Sequence, residues 1–283
     1  MKRIVITGAN AGIGLATAKF LAPQNELILV CRTQRKGETA AASIRLIAPR
    51  TPVTVLPVDL HDFASVQLAA MHIQSKFDSI DVLINNAGYY PKRIEYIGQT
   101  EKTLYASHLG HMLLTLLLLP TLEMAAEPRI INVSSALHWR GNAQHFFRQI
   151  PGLSTFQAYA DAKLANILFT MALNQKMESR VRAFALHPGV VATNFDRDIR
   201  GFFKFLIEAA KPLFYLTPEQ GAATSVYLAN APTSAIQAAK ACYFANSRPT
   251  QIQNAGATAA NADDLWQRSY EVLLPHLSQA ATI

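Results

Sequence analysis

The sequence predicts an α/β fold, with a parallel β-sheet flanked by helices in a single domain. Three observations carry that expectation. Short β-rich apolar runs alternate with helix-period segments along most of the chain, the pattern of strand–helix–strand crossovers. Most of those runs are continuously apolar rather than alternating, as strands covered on both faces are. The glycine clusters and reactive side chains fall just after strands or open helices, at the carboxyl edge of the sheet where ligands bind.

The elements follow in order. Candidate strands are 3–7 (RIVIT), 26–31 (ELILVC), 53–58 (VTVLPV), 80–84 (IDVLI), 129–133 (RIINV), 180–186 (RVRAFAL) and 242–245 (CYFA). Helical periodicity fills 12–22, 36–48, 62–76, 100–126, 157–178, 218–230 and 262–274. The 283 residues, 50% of them hydrophobic, suffice for one large core, and no low-complexity tract, linker or internal repeat divides them.

The formal net charge of +7 is compatible with an anionic ligand, but the basic residues are scattered and no nucleic-acid motif accompanies them. No nucleic-acid partner is expected. Cys31 and Cys242 form neither a disulfide framework nor a metal pattern, and both are expected as reduced, packed thiols. The most apolar stretch, 111–120, is about half of the ~20 residues that a membrane span needs and reads as a buried helix. With a strand beginning almost at Met1, no signal peptide is expected, and the reading is a cytoplasmic or otherwise soluble protein in a reducing compartment.

The first strand runs into Thr7-Gly8-Ala9-Asn10-Ala11-Gly12-Ile13-Gly14 and then a helix. Gly8 permits a tight turn, Gly12 lets a pyrophosphate approach the backbone, and Gly14 lets helix and strand pack closely. The helix N-terminus supplies free N–H groups and partial positive charge for phosphate. A dinucleotide site is expected. NAD-binding folds usually place a carboxylate at the end of the second strand, whereas this chain has Cys31-Arg32-Thr33 and no acid until Glu38. Arg32, aided by Arg35 or Lys36, suits the 2′-phosphate of NADP(H). Asp59, after the third strand, either accepts from an adenine amino group or caps the helix beginning near Asp62. Asn85-Asn86-Ala87-Gly88 makes a small-residue turn after the fourth strand.

Tyr159 and Lys163 lie four residues apart on one helix face. A carbonyl that accepts hydride must also receive a proton, and a nearby lysine cation is expected to lower the phenol pKa so that Tyr159 can serve as acid or base. Ser134-Ser135 ends the fifth strand, where one hydroxyl could polarise a substrate carbonyl. His108 and His111 lack a third ligand and read as structural, so no metal is expected.

The motifs TGANAGIG, NNAG, HLGHMLLT, RIINVSS, YADAK, LHPGVV and TPEQGA, with LW at 265–266, occur in this order across nearly the whole chain. In them the chain resembles the short-chain dehydrogenase/reductase family, in its retinol dehydrogenase-like branch. The resemblance implies one Rossmann-type doubly wound domain over residues 1–283, with a seven-stranded parallel sheet. It implies that Ser135, Tyr159 and Lys163 form the catalytic core, and that Arg32 contacts the 2′-phosphate. It further implies that Asp59 and Leu60 lie on the adenine side and that Asn86, Ala87 and Gly88 line the cofactor. Pro188, Gly189 and Thr193 resemble the segment bordering the nicotinamide. One position departs from the pattern: the family's asparagine before HLGH, which helps to hold a proton-relay water, is Ser107 here.

Two regions are expected to shape the substrate pocket: 138–157, longer than in minimal family members, and the aromatic-rich 195–216, which in the family commonly covers the active site. The aromatic content predicts a hydrophobic carbonyl or alcohol as substrate, and Lys204 and Lys211 leave peripheral membrane contact open. A second functional class stays open beside the oxidoreductase: a cofactor-binding sensor or interaction protein with weak catalysis. Oligomeric state does not follow from these residues.

Overall fold

The structure, a computed structural model, describes residues 1–177, 180–189, 216–237 and 242–278. Strands β1 (Lys2–Thr7), β2 (Asn25–Cys31), β3 (Val53–Pro57) and β4 (Val82–Asn85) alternate with helices α1 (Gly12–Leu21), α2 (Gln34–Ile47) and α3 (Phe63–Lys76). A small hairpin of β5 (Tyr96–Ile97) and β6 (Thr100–Glu101) leads into the long helix α4 (Lys102–Glu123). The described chain continues through β7 (Arg129–Val133), α5 (Thr155–Lys176), β8 (Arg182–His187), α6 (Pro218–Asn230), α7 (Thr233–Gln237), β9 (Tyr243–Ala245), β10 (Arg248–Pro249) and α8 (Ala259–Ser278).

The main sheet has the order β3-β2-β1-β4-β7-β8-β9-β10. Its first seven strands are parallel neighbours, as the seven sequence runs predicted. The eighth, β10, is an addition and pairs antiparallel with β9. The connecting residues Asn246 and Ser247 both have positive φ (50° and 58°), the geometry that a two-residue hairpin turn requires. Pro249 fits there because an edge strand tolerates a missing N–H.

Strand alternation divides the core in two. Val5, Ile28, Val30, Leu83 and Ile130 face α3, α4, α5 and α8, whereas Ile4, Ile6, Leu27, Leu29, Ile84 and Ile131 face α1, α2 and α6. Coverage on both faces is why the strand sequences show no polar alternation. Arg129, fully buried in β7, ties the sheet to the end of α6 by donating to the carbonyls of Leu228 and Ala231, each at 2.7 Å.

The periodicity predicted one helix over 100–126, and the structure corrects it twice. Thr100 and Glu101 belong to the hairpin, and the Glu101 carboxylate accepts from Thr103 N–H at 2.7 Å to start α4. The turn Tyr105–Gly110 is wound as a π-helix. A Cβ at Gly110 would overlap the Leu60 carbonyl, so glycine lets α4 press against the turn after β3. By length and composition α4 is the single described helix that could cross a membrane, but 78% of its apolar window is buried inside the protein, as suits a core helix.

Candidate active site

The carboxyl ends of β1, β2, β3 and β4 surround a groove of about 240 Å³ lined by, among others, Gly8, Asn10, Arg32, Asp59, Leu60 and Asn86. Its floor is the turn after β1. Gly8 (φ +66°) donates its N–H to the Val30 carbonyl at 2.8 Å, and its missing Cβ leaves room for Ala87. A Cβ at Gly14 would overlap both the Gly8 carbonyl and the Asn86 amide, so glycine is needed where α1 meets the strands. Gly12 faces open space, and Ala11, before the helix, offers no side-chain cap to the N–H groups of α1. Asn10 lines the groove with Gly8, while Ala11, Gly12, Ile13 and Gly14 follow it into the N-terminus of α1, which has no side-chain cap.

Thr7, the first residue of the TGANAGIG motif, organises this floor. Its Oγ1 accepts from the N–H groups of Asn86 and Ala87, both at 2.9 Å, and lies 2.9 Å from His111 Nε2. His111 donates from Nδ1 to the Ser107 carbonyl at 3.0 Å, so its Nε2 is the acceptor and Thr7 the donor. Burial holds His111 down at about 4 and His108 at about 3, so both stay neutral at ordinary pH. His108 Nε2 meets Ser269 Oγ at 2.7 Å. Both histidines therefore serve packing, and among the described residues no cluster of three or more His, Cys, Asp or Glu could hold a metal ion.

At the outer end of the groove, Arg32 and Lys36 are exposed cations lining the same cavity. The two alternatives for Asp59 separate here: Asp62, not Asp59, caps α3 by accepting from Ala64 N–H at 3.0 Å. Asp59 lines the groove, and its Oδ1 accepts from His61 N–H at 3.0 Å and from His61 Nδ1 at 3.1 Å. Burial raises the Asp59 carboxyl, but the bonds from His61 and the Arg32 charge outweigh it and hold the group below its usual range.

The reactive side chains meet beside the groove where β7 ends. Ser135 follows that strand and hydrogen-bonds Tyr159 on α5. Its Oγ also accepts from Leu137 N–H at 3.2 Å, so the turn role and the site role coexist. Ser134 points away: its buried hydroxyl donates to the Lys163 carbonyl at 2.7 Å. Lys163, 4% exposed, donates from Nζ to the Val133 carbonyl at 3.0 Å and lies 5.6 Å from the centre of the Tyr159 ring. A Cβ at Gly88 would sit 3.2 Å from that ammonium, so glycine keeps the approach to it open.

The net direction at Tyr159 is opposite to the expected lowering, and burial is the cause. Burial pushes the phenol up to about 12, and the Ser135 hydrogen bond offsets only part of this. The ammonium lies over the ring face and is tied to Val133, and burial lowers it to about 8. Tyr159 is therefore a protonated acid and Lys163 a cation at neutral pH.

Ser107, buried beside the groove, has an Oγ with no hydrogen-bond partner, and its carbonyl is taken by His111. Residues 138–157 fold onto α5: Asn142 N–H and His145 Nδ1 both donate to the Asp161 carboxylate at 2.8 Å. Gly141 fits against Leu164, where a Cβ would come within 2.5 Å. Pro188 and Gly189 (φ +84°) follow β8, with Leu216 packed against Gly189. Thr193 and all of the segment 195–216 except Leu216 lie outside the described residues. Sequence reasoning also passed over Tyr90, whose ring packs 5.6 Å from that of Tyr159 and whose hydroxyl meets Thr155 Oγ1 at 3.2 Å. Its adjacency to the NNAG turn was the available signal.

Comparison with known proteins agrees with this fold. The family model for short chain dehydrogenase matches residues 2–202. Human retinol dehydrogenase 12 is 35% identical over 96% of this chain and 86% of its own length. Human dehydrogenase/reductase SDR family member 13 is 36% identical over 94% of this chain and 71% of its own length. Among solved structures, an alcohol dehydrogenase from the archaeon Thermococcus sibiricus complexed with 5-hydroxy-NADP superposes with a TM-score of 0.64 at 25% identity, covering 82% of this chain and 92% of its own. A short chain dehydrogenase from Shigella flexneri complexed with NADP gives 0.59 at 22% identity, over 77% and 86% of the two chains. With the strand order, the glycine turn and a matched model over most of its length, the chain belongs to the short-chain dehydrogenase/reductase family of oxidoreductases, in the retinol dehydrogenase-like branch.

Proposed function

We propose that the protein is an NADP-dependent oxidoreductase that moves a hydride between nicotinamide and a lipophilic carbonyl or alcohol, with Tyr159 as the general acid/base. The observation that carries this reading is the meeting of Ser135, Tyr159 and Lys163 at the carboxyl edge of the sheet, beside a groove with cations at its far end. The groove residues fit the cofactor: an uncapped helix N-terminus and the open space at Gly12 suit a pyrophosphate, and Arg32 with Lys36 suits a 2′-phosphate.

When bound, the nicotinamide supplies or takes up the hydride. In reduction, Tyr159 Oη gives its proton to the carbonyl oxygen as the carbon gains hydride, yielding an alcohol. Ser135 orients that phenol and can donate to the same oxygen, where negative charge develops. Lys163, fixed to the Val133 carbonyl, keeps a positive charge beside the ring from which the proton departs. A lipophilic substrate accords with the exposed Trp139 and with Phe156, three residues before Tyr159 on α5. Pro188, Gly189 and Thr193 would border the nicotinamide, and residues 195–216 would cover the substrate.

A screen of hydrophobic aldehydes and ketones, followed by NADPH absorbance, tests the reading. Tyr159→Phe is expected to cut turnover by roughly 10²–10⁴-fold while sparing NADPH binding, because it removes only the transferable proton. Near-normal rates in that variant would refute the assignment. Arg32→Ala is expected to cost about ten- to a hundredfold in NADPH affinity and little for NADH. A second reading, a cofactor-binding protein with weak catalysis, is favoured by the unpartnered hydroxyl of Ser107, where the family places an amide. An increase of several orders of magnitude in turnover for Ser107→Asn would establish it.

A further inference from the structure

Three side chains outside the matched motifs or at their edges join across the groove. Asp59 Oδ1 accepts from His61 Nδ1 at 3.1 Å, and His61 Nε2 lies 3.4 Å from Tyr89 Oη. In the tautomer with the proton on Nδ1, facing the carboxylate, Nε2 accepts and the Tyr89 hydroxyl is its donor. Burial pushes the Tyr89 phenol up to about 12, so the donor keeps its proton. The two rings also meet edge to face, with centroids 5.5 Å apart at an interplanar angle of 60°.

The topology gives this contact its meaning. His61 belongs to the turn after β3, and Tyr89 to the turn after β4. In the sheet these strands are separated by β2 and β1, three strand spacings or about 14 Å. A link between the two turns therefore spans the carboxyl ends of β1 and β2, above which the groove lies. Asp59, His61 and Tyr89 all line that cavity together with Gly8, Arg32 and Lys36. Gly8 and Asn10 of the glycine turn line the same cavity as the His61–Tyr89 bridge. His61 is also what orients Asp59: its two bonds occupy Oδ1 and leave Oδ2 for another donor.

We propose that the Asp59–His61–Tyr89 chain is a clasp over the groove that grips the adenosine 2′-phosphate half of the dinucleotide and governs its release. This rests on the proposed cofactor reading. It goes beyond that reading by assigning a binding role to His61 and Tyr89.

The test measures NADPH dissociation by stopped-flow displacement, and the affinity of 2′,5′-ADP, the isolated adenosine half. Tyr89→Phe keeps the ring and removes one hydrogen bond; it is expected to speed NADPH release about fivefold. His61→Ala removes the bridge and loosens Asp59, and is expected to speed release tenfold or more. Affinity for 2′,5′-ADP should fall by the same factors. The double variant should be no worse than His61→Ala alone, since both act on one link. Unchanged release and unchanged 2′,5′-ADP affinity in both variants overturn the clasp. Weakened NADPH binding with unchanged 2′,5′-ADP affinity also overturns it, because the contact would then lie at the nicotinamide end. If the unmodified protein binds no NADPH, the cofactor reading falls and the clasp with it; if it binds and the variants match it, the clasp alone falls.

Discussion

Replacing Lys163 by methionine should make the protein more stable and catalytically dead. The lysine is 4% exposed, and burial holds it at about 8 instead of 10.5. Each pKa unit corresponds to about 1.4 kcal/mol, so keeping this cation folded costs about 3 kcal/mol at pH 7. Because the folded-state pKa is the lower one, the cost is complete below about 8 and disappears as pH rises toward 10.5. Methionine fills a similar volume without charge. The deletion leaves no orphaned acceptor, because the Val133 carbonyl keeps its bond from Asn166 Nδ2 at 3.0 Å. Urea unfolding should thus show Lys163→Met to be more stable by about 2–3 kcal/mol at pH 7, and by under about 1 kcal/mol at pH 10. Turnover should fall at least about a hundredfold. A variant less stable than the parent at pH 7, or a difference independent of pH, would refute the argument that burial strains this charge for function.

Other perturbations test the scaffold. Gly14→Ala places a methyl against the Gly8 carbonyl and the Asn86 amide, and should cost about 1–3 kcal/mol in urea unfolding and sharply weaken NADPH binding in a fluorescence titration. Thr7→Val keeps the shape but strips His111 Nε2 and the Ala87 N–H of a partner, and should cost about 2–4 kcal/mol in the same unfolding assay. Arg129→Met leaves the Leu228 and Ala231 carbonyls without their donor, and should lower stability by about 2–4 kcal/mol while the affinity for NADPH, measured at the opposite edge of the sheet, changes little.

The seven parallel strands were legible because burial on both faces writes itself as continuous apolar sequence, seen in β1, β2 and β7. The glycine turn and the Tyr159–Lys163 pair were legible because their chemistry depends on local spacing. What escaped depends on distance along the chain or on hydrogen-bond register. His61 and Tyr89 are 28 residues apart, and Thr7 and His111 are 104 apart, so no window contains either pair. The π-wound turn of α4 has the same apolar pattern as the α-helix around it. The β9–β10 turn uses Asn246-Ser247 where hairpins usually signal with glycine, and a two-residue strand ending in proline carries no strand signal.

The corrected direction for Tyr159 changes what its neighbours must accomplish. At about 12, the phenol is an acid at pH 7, the state needed to give a proton to a carbonyl oxygen. Alcohol oxidation would instead begin from the phenolate, which lies about 7 kcal/mol uphill at that pH. The Ser135 hydrogen bond already opposes burial and offsets part of that cost. Lys163 works differently from a simple pKa-lowering partner: its ammonium is tied to the sheet through Val133, 5.6 Å from the centre of the ring, and the phenol is raised by burial all the same. Its charge therefore does little to ionise the resting phenol. What it can do is sit prepaid in a buried place, its desolvation already charged to the fold, and stabilise negative charge only after the proton has left. That arrangement favours the transition state over the ground state, which is where an electrostatic contribution accelerates chemistry.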